Sequence, residues 1–136
     1  MWDNSKSLLL SRYLLYLALF LWQVPILIAL FGEIPKAIFN TYLLNYIPVI
    51  LILRAMLKFL NNIDRGNIFC AENVEYLRQV SWYCLFSGIF TLLGALFEPI
   101  LIICAGVVGF FGLLMRVIKN MLTEANLIKR ENDYTI

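Results

Sequence analysis

Four apolar runs dominate the chain, and short polar stretches separate them. The first extends from Leu8 to Gly32 and is interrupted at Gln23 and Pro25. The second covers about residues 42–60, with Pro48 near its start. The third covers about 81–97, and the fourth runs from Pro99 to about residue 118. A helix needs about 20 apolar residues to cross roughly 30 Å of hydrocarbon. In lipid, backbone groups must pair internally, so the runs predict helices. They lack the alternation of a membrane β-barrel strand. Proline at 25 removes a backbone donor and predicts a kink. Proline at 99 suits the first turn of a helix. The expected fold is all-α, an integral membrane four-helix bundle. The first run is too long for a signal's apolar region and lacks a small-x-small cleavage site, so it is expected to stay as a helix.

Composition agrees. Of 136 residues, 62% are apolar and 15% are charged. A water-soluble chain this small lacks the interior to hide so much apolar surface. The net charge of +2 is too small to argue for nucleic acid, and no direct nucleic-acid binding is expected.

The distribution of charge says more than its sum. One set of connections holds Lys6, Arg12, Arg54, Lys58, Arg65, Arg78, Arg116, Lys119, Lys129 and Arg130, and the other holds only Lys36. Basic residues stay on the cytoplasmic side of membrane helices. Both termini, the segment 61–80 and the tail 119–136 are therefore expected in the cytoplasm. The outer side keeps a short loop around 33–41 and a tight turn at Glu98-Pro99. Arg54 and Lys58 share one helix face near the cytoplasmic end, where long cations extend to the interface. A buried functional charge at Arg54 is the alternative.

Small residues predict how the last two helices pack. Cys84, Gly88, Thr91 and Ala95 share one face, and Ala105, Gly109 and Gly112, with Gly106 beside them, repeat the spacing. Small residues let membrane helices approach closely. A reversal at Glu98-Pro99 sets Thr91 level with Gly106 and Gly88 level with Gly109. The plain alternative is the ordinary glycine content of membrane helices.

The third and fourth helices are expected to project from the bilayer. Residues 61–67, NNIDRGN, make a turn-rich link. Glu72 and Glu75 then suit the first turns of a helix starting near Ala71. At the other end, Leu114, Val117, Ile118, Met121, Leu122, Ala125 and Ile128 form an apolar helical stripe. Arg116, Lys119, Asn120, Thr123, Asn126 and Arg130 lie opposite. The stripe needs cover, from the 61–80 segment by default, or from a partner's groove, a second copy or the membrane surface.

Two segments carry a resemblance. RGNIFCAENVEYLRQVSW resembles a motif of the form G-x-x-F-S-x-x-N-V-x-x-L-R-x-I, and IKRENDYTI resembles an ending E-N-D-L-T-I. With four spans in this order, the chain is similar to the bacterial family known as domain-of-unknown-function family 2975. The matching positions are Gly66, Phe69, Asn73, Val74, Leu77 and Arg78 in the link, and Glu131, Asn132, Asp133, Thr135 and Ile136 at the end. The chain departs from the pattern at Cys70, where serine is expected, and at Tyr134, where leucine is expected. Serine would cap the third helix better than cysteine. The resemblance implies a small inner-membrane protein and, as a partner, a small helix-turn-helix regulator. Glu131, Asn132 and Asp133 can form turns and caps that dock the tail on residues 66–78.

Chemistry is scarce. Histidine is absent, and Cys70, Cys84 and Cys104 have no metal or redox spacing. No cofactor is expected. No nucleophile–base pair or phosphate loop can be named, so an enzyme is not expected. The leading expectation is a membrane protein that binds a protein partner on its cytoplasmic face, with self-association also open. The alternatives are a small oligomeric transporter or channel, or a membrane immunity or stress protein. Transport needs polar groups at mid-membrane, and the sequence offers only Gln23, Thr91 and Arg54.

Overall fold

The structure is a computed structural model that describes residues 4–135. Five helical segments follow in order: α1 (Asn4–Leu21), α2 (Val24–Phe31), α3 (Lys36–Asp64), α4 (Ala71–Gly94) and α5 (Leu101–Thr135). No strand occurs among the described residues. α1 and α2 form one rod with a break, so the architecture is four rods.

The break lies where Pro25 puts it. Proline at the second position of α2 offers no N–H to the carbonyl one turn back. Gln23 turns to the carbonyl of Phe20, and Ile26 N–H goes to Gln23 instead of Trp22. The Trp22 carbonyl thus loses its helical donor. Tyr42 of α3 supplies one, its hydroxyl donating to that oxygen. Tyr46 donates to Gln23 Oε1 at 2.7 Å, one turn further along α3. α3 therefore repairs the backbone that the proline opened, as hydrocarbon requires.

Helix α3 starts earlier than its apolar run, at Lys36 behind Pro35, and passes through Pro48 unbroken. The link from α2 is only residues 32–35, shorter than the loop of 33–41 read from the sequence. α4 starts at Ala71, where the first acids predict it, and the turn to α5 spans residues 95–100.

Among the described residues, three rods are long and apolar enough to cross a membrane: Asn4–Phe31, Lys36–Asp64 and Leu101–Tyr134. α4, which carries the third expected span, is not among them. The reason is its place in the bundle. It lies between α3 and α5 and buries Asn73, Ser81, Ser87 and Thr91 as well as Leu77, Val80 and Cys84. Protein covers much of its surface, so less of it must be hydrocarbon-like.

The core is the meeting of α3, α4 and α5. Ala55, Leu77, Val80, Cys84 and Met115 form its centre, and Ile52, Met56, Phe59, Val108, Ile118 and Leu122 surround them. α1 and α2 contribute no buried residue. Their rod leans on α3 through the tyrosines and through Arg12–Asp64, an ion pair of 3.1 Å.

Candidate functional site

The link between α3 and α4 is built around two residues, Gly66 and Asn73. Gly66 has φ +81°, the left-handed conformation that ends a helix. Its N–H reaches the Ile63 carbonyl, and Asn67 N–H reaches back to Asn62 at 2.9 Å. These are the two bonds of a Schellman cap, and a side chain at 66 would be strained. Asn73 then locks the returning chain. It is 0% exposed. Its amide donates to the carbonyls of Asn67 (2.8 Å) and Ile68 (3.1 Å), and its Oδ1 accepts from Asn62 Nδ2 (2.9 Å). One side chain thus ties the end of α3, the link and the start of α4.

The pattern of the family described as "Protein of unknown function (DUF2975)" matches residues 7–136. The chain belongs to that family. No curated protein and no solved structure matches it.

Within this DUF2975 chain the remaining motif positions have distinct surroundings. Leu77 sits in the core at 2% exposure. Val74 is half-buried and, with Ala71, faces Thr123, Asn126, Leu127 and Arg130 of α5 across a small recess. Phe69 is exposed on one side, and Lys129 Nζ lies 5.2 Å from its ring centre. Arg78 is exposed and donates to Glu75 at 2.8 Å. That hydrogen bond holds the Glu75 carboxyl below the usual carboxylate range. Cys70 precedes α4 in extended conformation but does not cap it; its thiol turns to the Asn67 carbonyl at 3.3 Å. The departure from serine has a visible consequence, since the start of α4 lacks a side-chain cap.

The tail differs from its expectation. Glu131, Asn132 and Asp133 make no turn; they continue α5, which ends at Thr135. All three are exposed on the helix. Ile136 lies outside the described residues. The apolar stripe is also rotated. Met115 is buried and Ile118 and Leu122 pack on the core, whereas Leu114, Val117, Met121 and Ile128 are exposed. Two apolar faces adjoin on α5, and the bundle covers one of them. Arg116 leaves the polar side to lie over Trp82, 5.1 Å from its ring centre.

The small residues divide between two seams. Gly88 approaches Gly109 and Ala105, and a Cβ added at 88 would stand 3.8 Å from Gly109 N. Gly112 is tighter, with an added Cβ 3.0 Å from that of Cys84, and the Gly112 carbonyl accepts from Ser81 Oγ at 3.0 Å. Thr91 and Gly106 are not brought together. Gly106 faces open space, and Thr91 turns to α3.

There it joins a polar group missed in the sequence. Asn45 Nδ2 donates to the Thr41 carbonyl (2.9 Å) and to Thr91 Oγ1 (3.2 Å), and Ser87 Oγ donates to Asn45 Oδ1. Thr91 donates to the Ser87 carbonyl and Thr41 to that of Ala37, each at 2.8 Å. Asn45 lies within the second apolar run, three residues before Pro48, and an amide inside a span was the available signal. Every donor here has a partner, so the group pins α3 to α4. Among the described residues, no cluster of three or more His, Cys, Asp or Glu side chains is placed to hold a metal.

Proposed function

We propose that this is a non-enzymatic protein of the bacterial inner membrane that binds a protein partner through the exposed face of the α5 extension. In this reading all four rods cross the bilayer and both ends are cytoplasmic. The ten-to-one division of basic residues supports that orientation. Helix lengths support it too. Arg54 lies 18 positions after Lys36 on α3, about 27 Å at 1.5 Å per residue, close to one hydrocarbon thickness. α5 has 35 residues, about 52 Å, so it extends roughly 20 Å beyond the bilayer.

One observation carries the reading. Ile103, Val107, Phe110, Leu114, Val117, Met121 and Ile128 are exposed at spacings of three, four and seven along α5. Lipid covers the first of these. The same stripe continues past Arg116, where the covering must be something else. The bundle does not supply it, because α5 already uses Met115, Ile118 and Leu122 for that contact. The link motif does not offer an equal surface: Gly66, Asn73 and Leu77 serve the fold. The partner therefore meets Val117, Met121, Ile128 and the acids Glu124 and Glu131, as a helix laid against a groove. A small helix-turn-helix regulator is the partner that the family resemblance implies.

A photoreactive residue at 121 or 128 tests this in cells. Adducts to a cytosolic protein are expected there, with none from position 103, which faces lipid. Adducts of twice the chain's mass would assign the face to a second copy. No adduct at either position, with an unchanged transcript profile on deletion, ends the proposal. The transporter reading draws on the Thr41–Asn45–Ser87–Thr91 group, but its donors are all paired within it, which suits helix pairing better than passage.

A further inference from the structure

We infer that the seam between α3 and α4 holds the phosphate head of one anionic phospholipid. Arg54 and Lys58, one turn apart on α3, line a recess of about 190 Å³ with Leu51, Ala55, Gln79 and Tyr83. That is several times the ~30 Å³ share of one water. Among the described residues neither cation has an ion pair, and Lys58 Nζ meets only the face of Tyr76, 5.9 Å from its ring centre. The acid tied to the recess through Gln79 is Glu75, and Arg78 already holds it. Two cations without an ion pair and a tyrosine, on two helices, thus line one space. Phosphate oxygens match that donor set.

The neighbouring positions distinguish a lipid from a free anion. On α3 the face of Lys58 and Arg54 continues as Leu51 and Ile47, and Ile47 is 67% exposed. On α4 the face of Gln79 and Tyr83 continues as Phe86 and Phe90, with Phe86 exposed and Phe90 half-buried. Both helices therefore change from polar to apolar in the same direction beside the same seam. An amphiphile with an anionic head and a hydrocarbon chain fits that order; a free phosphate uses only its upper end. The assignment rests on the bilayer placement proposed above but not on any protein partner. It also differs from simple extension of Arg54 to the interface, because a site made by two helices holds a lipid stoichiometrically.

The test uses the full chain, delipidated in non-ionic detergent, with retained lipid counted by native mass spectrometry. One dioleoylphosphatidylglycerol is expected to stay bound under conditions that remove dioleoylphosphatidylcholine. A cation near a membrane surface contributes about fivefold in affinity for anionic lipid, so R54Q/K58Q should weaken retention about 25-fold. Y83F should weaken it less, and K36Q, at the far end of α3, should leave it unchanged. Inorganic phosphate at millimolar concentration should not displace the lipid. Equal retention of the two lipids, full retention by R54Q/K58Q, or displacement by phosphate alone overturns the assignment. If R54Q/K58Q does not fold, the lipid comparison and Y83F decide it. None of these outcomes depends on cross-linking at 121 or 128, so the two proposals fail separately.

Discussion

The first rod and α4 are opposites. α1 and α2 form one of the three stretches apolar enough to cross a membrane, yet no residue in them is buried. α4 falls short of that threshold and is the best-covered helix of the bundle. In water, apolarity marks the inside of a protein. In lipid it marks contact with solvent, and the interior is free to be polar if every group is paired. Apolarity along this chain therefore reads as exposure to hydrocarbon, and amides and hydroxyls mark the places where helices meet.

Substitutions can break that contrast. The largest effect is expected at Asn73. Asn73→Ala leaves two carbonyls and the Asn62 amide without their partner, at about 1 kcal/mol or more each, so about 3 kcal/mol in all. Denaturant unfolding in detergent micelles measures it. Asn45→Ala comes next, at about 1–2 kcal/mol, the upper range for hydrogen bonds between membrane helices. The paired control is Phe20→Ala, on the exposed face of α1, which should change stability by less than about 0.5 kcal/mol. If Phe20→Ala costs as much as Asn45→Ala, the contrast between the rods is gone.

The glycines sharpen it further. Gly112→Ala presses a methyl against Cys84 and should cost about 1 kcal/mol, the low end for an overfilled contact. Gly106→Ala faces open space, so helix propensity alone acts, and a gain of up to about 1 kcal/mol is expected. The smallest effect concerns pH. The folded Glu75 carboxyl titrates below its unfolded value, so its contribution is present above the ordinary carboxylate range. It is lost as pH falls through the lowered value. Both side chains of the Glu75–Arg78 pair are about half exposed, so melting curves of E75Q and the parent should be nearly parallel near neutrality and converge under acid.

Much of the architecture was legible in the sequence because its causes are local. Pro25 breaks the first rod by removing one N–H, and Glu72 marks the first turn of α4. What escaped depends on partners far along the chain. Leu114 and Met115 are equally apolar, and no local rule says which meets lipid and which meets Val80. Thr91 shares a face with Gly88, which points it toward α5, whereas Asn45 draws it to α3. The link motif was legible as a pattern, but its use as a clasp around Asn73 needed the fold.

The first rod's attachment has a mechanical consequence. It is fastened near one end by Arg12 to Asp64 and at its elbow by two tyrosine hydroxyls and the Trp22–Tyr42 ring contact, with only half-buried side chains such as Leu15, Ala18 and Leu19 between. Because no residue of this rod is fully buried, loosening these contacts would let it swing aside while the other three rods stay clasped. A flank opened in that way would bare Tyr42 and Tyr46, a doorway that any visitor approaching sideways through the bilayer would find first.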